Sequence, residues 1–86
     1  MYTLELSEEV EKKFDKLAKR QKDTLRIIHK KIEQILDNPT HFKPLRGDMY
    51  GARRVHIDSS FVLTYEILEE GKIVRILDFA HHDEIY

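Results

Sequence analysis

The stretch Arg53-Arg54-Val55-His56-Ile57-Asp58-Ser59-Ser60-Phe61-Val62-Leu63-Thr64-Tyr65-Glu66-Ile67 decides the fold. From Arg53 to Ile57 the pattern alternates, which is the period of a strand with one covered face. Asp58-Ser59-Ser60 is turn chemistry, because short polar side chains satisfy nearby backbone groups. Phe61 to Ile67 is rich in β-branched and aromatic residues and reads as a second strand. It is apolar on both faces at most positions, so pattern alone does not orient it. So short a connection imposes antiparallel pairing. Downstream, Glu69-Glu70-Gly71-Lys72 reads as another turn and Ile73 to Phe79 as a third strand. Residues 53–79 are therefore expected to form an antiparallel meander.

Upstream the period lengthens. Tyr2-Thr3-Leu4-Glu5-Leu6 alternates as a strand does, and Ser7 then offers a helix cap, with Glu8 and Glu9 favouring the positive N-terminal end. Val10, Phe14, Leu17 and Ala18 fall on one helical face. Gln21 to Asp23 breaks this helix, and Asp23 is placed to cap a second. Leu25, Ile28, Ile32, Ile35 and Leu36 form the apolar stripe of that second helix. Asn38-Pro39 ends it, because the residue before proline avoids the helical region. Residues 40–51, with Pro44, Gly47 and Gly51, read as a loop. The order is β-α-α-β-β-β, an α+β fold. Two helices cover one face of an antiparallel sheet of about four strands, and the other face is left to carry chemistry. Val55 and Ile57 point to one side of their strand, Arg54 and His56 to the other. If the aliphatic pair meets the helices, the arginine and the imidazole face outward.

Eighty-six residues make one domain, 1–86. There is no cysteine, hence no disulfide, thiol nucleophile or cysteine metal site. The N-terminus lacks the basic start and apolar run of a signal peptide, and no stretch approaches the roughly 20 apolar residues of a membrane span. A soluble, cytoplasmic protein with no membrane partner is expected. Net charge is −1, but it is unevenly distributed. Lys12 to Lys22 holds six cations and one acid, and His41 to Ile57 holds Lys43, Arg46, Arg53 and Arg54 against Asp48. Either zone can meet phosphate; the helical one reads equally well as a solvated face.

The chain ends His81-His82-Asp83-Glu84-Ile85-Tyr86. Imidazole is the side chain best suited to move protons near neutral pH. Two imidazoles brought together by a sheet, beside guanidinium groups that hold phosphate, suit RNA cleavage. A metal site in the tail competes, since all of residues 81–84 are ligand types; adjacent residues on extended backbone diverge, however, and no helical His-x-x-x-His pair occurs. His29 and His41 read as structural, and His81 as pointing away from His82.

Pro44-Leu45-Arg46-Gly47 followed by Gly51, the strand pair Arg53–Ile57 and Leu63–Ile67, and the ending His82-x-x-Ile85-Tyr86 together resemble the RelE/ParE superfamily of toxins from type II toxin–antitoxin pairs. The YafQ-like branch of mRNA interferases is the nearer match. The resemblance implies a small endoribonuclease that cuts messenger RNA at the ribosome and is silenced by a cognate antitoxin, with operator DNA bound only by the toxin–antitoxin complex. It implies no cofactor and no metal. His82 and His56 match histidines implicated in acid/base work, and Tyr86 matches a terminal aromatic that holds substrate. The 2′-hydroxyl of RNA is the nucleophile, so the protein needs a base, an acid for the leaving 5′-oxygen and cations for the charged transition state. His82 is assigned as an acid/base group and His56 as its partner or as a phosphate contact. Arg54 and Arg53 are candidate clamps, with Lys43 and Arg46 reaching in from the loop. Lys43, Ser60 and Phe61 depart from the branch, which can carry histidine, aspartate and tryptophan there. Two other readings stay open: a non-nucleolytic ParE-like inhibitor of DNA gyrase, and an inactive relative that only binds antitoxin and operator DNA.

Overall fold

The computed structural model describes residues 2–42 and 51–81. Their order is β1 (Thr3–Leu6), α1 (Glu8–Arg20), α2 (Lys22–Asp37), β2 (Ala52–Ile57), β3 (Phe61–Leu68) and β4 (Ile73–His81), with a single 3-10 turn at Glu69–Gly71 before β4. The sheet order is β1-β4-β3-β2. The three later strands form the expected antiparallel meander. β1 departs from the expectation of a wholly antiparallel sheet. It lies parallel to β4, with Thr3 opposite Ile73 and Leu6 opposite Ile76. No short connection dictates its direction, because its partner is the last strand of the chain.

Local chemistry sets the helix ends. The Ser7 hydroxyl accepts from the Val10 amide at 3.2 Å, with Glu8, Glu9 and Glu11 in the first turn and Lys19 and Arg20 in the last. Ser7→Ala should therefore cost about 1 kcal/mol and lower the melting temperature by about 4–8 °C, measured by thermal circular dichroism. α2 begins one residue before the expected cap. Gln21 is its N-cap without a side-chain hydrogen bond, and Asp23 lies inside the first turn.

Val10 and Phe14 of α1 and Ile28, Ile32 and Ile35 of α2 bury against Val55, Ile57, Leu63, Tyr65, Val74, Ile76 and Phe79 of the sheet. The aliphatic side of β2 thus meets the helices, as its alternation required. In β4 a bulge places Leu77 out of register, since Thr64 faces Asp78 while Tyr65 faces Ile76. The bulge moves the inward positions from Val74 and Ile76 to Phe79, whose ring lies edge-on to Phe14 at 5.9 Å. Beyond Ile76 the edge of β4 has outrun β1. There the Lys13 ammonium donates to Asp78 Oδ1 and to the Phe79 carbonyl, both at 2.8 Å, and Asp78 Oδ1 also accepts from the Phe79 amide. A cation from α1 thereby satisfies the Phe79 carbonyl, which lies beyond the part of β4 that β1 pairs.

The face away from the helices is not bare. Val62, Thr64 and Ala80 point to it, yet all three are buried. This accounts for the apolar character of β3 on both sides. The exposed chemistry of that face is displaced to its rims. At one rim Arg75 donates to Glu5 at 2.7 Å and to Glu66 at 3.0 Å, tying three adjacent strands together. The hydrogen bond and charge of Glu5, then those of Glu66, hold the Arg75 guanidinium above its ordinary range.

Candidate functional site

The other rim is β2, an edge strand. Arg54 and His56 are two residues apart and project to the outer face, roughly 7 Å from one another along the strand. Their cross-strand neighbours are Thr64 and Val62. His56 is exposed and Arg54 half-buried. Between this strand and the end of α2 is an open recess of about 410 Å³, lined by Lys31, Phe42, Arg54, Val55 and His56. Three nitrogen-bearing side chains of basic type therefore surround one opening. Such an opening can take an anionic group and offers an imidazole to exchange a proton with it.

Lys31 was not among the residues that sequence reasoning selected. Its signal was present. It stands between Ile28 and Ile32 of the apolar stripe, so a half-buried cation at the edge of that stripe has to emerge beside the sheet. Its ammonium lies 5.9 Å from the centre of the Phe42 ring, which fixes both at the mouth of the recess.

Arg53 does not join this group. It pairs with Tyr65 and therefore points toward the helix side. Its Nη1 donates to the Phe42 carbonyl at 2.7 Å and, at the longer distance of 3.5 Å, to the Thr40 carbonyl. The buried Tyr65 hydroxyl donates to the Pro39 carbonyl at 2.6 Å. Burial pushes this phenol up to about 12, and the nearby Arg53 charge opposes that rise. The pair binds the chain leaving α2 to the sheet, and so sets where Phe42 stands. Arg53 is thus a positioning residue at one remove from the recess.

His82, Tyr86, Lys43 and Arg46 lie outside the described residues. The described chain nonetheless carries β4 to His81. Ala80 sits in the same cross-strand row as His56, with Val62 between them. Two strand spacings make that separation roughly 10 Å. The His81 ring meets Phe61 edge-on at 5.5 Å.

A family model described as the ParE toxin of the type II toxin–antitoxin system, parDE, matches residues 4–86. A Methanocaldococcus jannaschii protein with the provisional name toxin RelE4 is 46% identical over 86 residues, covering 100% of this chain and 92% of its own. The YoeB/ParE toxin from Agrobacterium tumefaciens superposes with a TM-score of 0.86 at 17% identity, covering 93% of this chain and 98% of that one. The toxin fold in the E. coli RelBE toxin–antitoxin complex gives a TM-score of 0.81 at 25% identity, over 93% and 95% of the two chains. With the match extending over nearly the whole sequence, the chain belongs to the ParE toxin family of type II toxin–antitoxin systems, within the RelE/ParE superfamily.

Proposed function

We propose that this toxin is a metal-independent endoribonuclease of the YafQ-like kind that cleaves messenger RNA, at the ribosome and in the cytoplasm, until a cognate antitoxin silences it. The observation that carries the reading is the recess at β2, where His56, Arg54 and Lys31 converge. Arg54 and Lys31 hold the phosphate. His56 and His82 divide the proton transfers, one taking the 2′-hydroxyl proton and the other protonating the leaving 5′-oxygen. Tyr86 stacks on a base or orients the phosphate. Lys43 and Arg46 add positive charge from the loop, and Arg53 acts through the chain segment it holds. The structural likeness to the toxin of a RelBE complex supports the antitoxin as a protein partner. Operator DNA is bound only by this chain's complex with its antitoxin. No helix among the described residues is long and apolar enough to cross a membrane.

The name of the family model favours a second reading, a non-nucleolytic inhibitor of DNA gyrase. That activity gives an imidazole at the recess no task. The two readings separate on induced expression. Mapping of messenger 5′ ends should show new internal cleavage within minutes of induction. Intact messenger together with arrested replication would transfer the assignment to gyrase.

A further inference from the structure

We propose that Phe42 is a base-stacking residue of the β2 recess, whose ring takes the nucleobase belonging to the phosphate that Arg54 and Lys31 hold, with preference for a purine. The inference deepens the ribonuclease reading above and rests on it.

A single half-exposed phenylalanine is ordinary on a protein surface; the mount of this one is not. Of the four phenylalanines, Phe14 and Phe79 are buried, and Phe61 stacks on Phe79 at 5.0 Å with ring planes 18° apart. Phe42 is half-buried, packing in part on the core and lining the open recess beside β2. The chain that carries it has just left α2, yet it is tied down along its length. The Tyr65 hydroxyl donates to the Pro39 carbonyl at 2.6 Å, Arg53 Nη1 to the Phe42 carbonyl at 2.7 Å, and the His41 amide to the Asn38 carbonyl at 3.1 Å. The His41 ring meets the Phe42 ring edge-on at 4.9 Å. These contacts fix the ring before anything binds, so a ligand that stacks on it loses little ordering entropy.

The lining selects the occupant. Lys31 and Arg54 supply positive charge, Phe42 and Val55 an apolar wall, and His56 an imidazole. An inorganic anion has no use for the apolar wall, and an aliphatic ligand has none for the cations. A nucleotide brings a phosphate to one and a flat aromatic base to the other, the pairing by which single-stranded RNA is held. The Lys31 ammonium lies 5.9 Å from the ring centre, so cation and ring fall within the span of one nucleotide. The opening of about 410 Å³ is at the lower end of ligand-sized clefts, about 300–1,000 Å³, and suits one splayed nucleotide. The fused rings of a purine cover more of a phenyl face than a pyrimidine does, which sets the preference.

The test uses the full chain and a short single-stranded RNA, 2′-O-methylated so that it binds without being cut. Fluorescent 2-aminopurine, an adenine analogue, is placed at each position in turn; stacking quenches it, so the signal reports the contact itself. F42L keeps the apolar bulk without the π face, and F42Y keeps the ring. F42M takes the place of F42L should the latter melt early. F42L should lose the quenching seen with wild type and about 10- to 100-fold in affinity, while F42Y retains both. Removing the base at the quenched position should weaken the wild type by the same factor and leave F42L almost unchanged, since both changes delete one contact. The slope of log affinity against log salt should be equal in F42L and wild type, because no phosphate contact is lost, whereas R54Q should make it shallower by about 0.7. Adenine at that position should bind the wild type more tightly than uracil, and F42L should not distinguish them. Wild type that quenches the probe at no position would overturn the proposal. So would equal quenching and affinity in F42L, a loss in F42L that is the same with and without the base, or weakened capture of the antitoxin with RNA binding unchanged. If the wild type quenches the probe but cuts no unmethylated RNA, the ribonuclease reading falls and the base site stands. Cleavage by F42L at the wild-type rate and affinity does the reverse.

Discussion

His56→Ala should lower the rate of RNA cleavage by about 10²–10⁴-fold while leaving the fold intact. The residue is exposed on an edge strand and belongs to no buried cluster, so its removal costs little packing. Val55 and Ile57 on either side keep β2 fixed against the helices from the opposite face. The loss should appear in the chemical step, measured as single-turnover cleavage of a labelled RNA with enzyme in excess. His82→Ala is expected to fall in the same range if the two imidazoles share the proton transfers. The double variant should then lose much less than the product of the two single losses, because residues that act as one unit are not additive. Arg54→Ala should weaken substrate binding as well as the rate, and show it most at low salt, where a lost phosphate contact counts for most. Full activity in His56→Ala with native circular dichroism would remove the imidazole from the mechanism, and with it the main support for the nuclease reading.

Tyr65→Phe should destabilise the domain by about 2 kcal/mol, or about 8–16 °C in melting temperature. The phenylalanine fills almost the same space, so the cost comes from the Pro39 carbonyl, which loses a 2.6 Å donor in a buried setting. The deficit should depend on pH in one direction. The phenol is pushed up to about 12 in the folded protein from an ordinary value of 10.0. Between those values the unfolded chain has lost the proton and the folded protein retains it. The unfolded state then binds fewer protons, and stability falls as pH rises. The contribution is fully present below pH 10 and gone above pH 12, a loss of up to about 2–3 kcal/mol. The phenylalanine variant lacks this titration, so the gap between the two proteins should close across that window in urea unfolding at successive pH values. A gap that stays constant would mean that burial does not push the phenol up in the folded protein. The same variant should loosen the segment at Pro39–Phe42, and cleavage should suffer through the recess wall.

Much of this architecture was legible along the chain. The alternation of Val55 and Ile57 against Arg54 and His56 named the faces of β2 correctly, because a strand has two sides and one of them must be dry. The helices, the start of α1 and the end of α2 followed from Ser7, the apolar stripes and Asn38-Pro39, whereas the start of α2 did not, since Gln21 and not Asp23 is its cap. The bulge was also written there: the inward residues Val74, Ile76 and Phe79 are spaced two and then three apart. Leu77, apolar itself, disguised the change. The role of Arg53 was less accessible. It adjoins Arg54 in a basic pair; alternation sends it to the other face, but its bonds to the Thr40 and Phe42 carbonyls arise only in the fold.

The sequence by itself determined the elements, the meander and the segregation of charge, since each depends on neighbours within a few positions. Tertiary structure alone decided that β1 lies parallel to β4 and that Lys31 shares an opening with Arg54 and His56. It also decided that Lys13 completes the edge of β4. Those contacts join residues far apart in the chain, and their geometry depends on how the helix pair settles on the sheet. Periodicity shows that a face is buried; it carries no record of what covers that face.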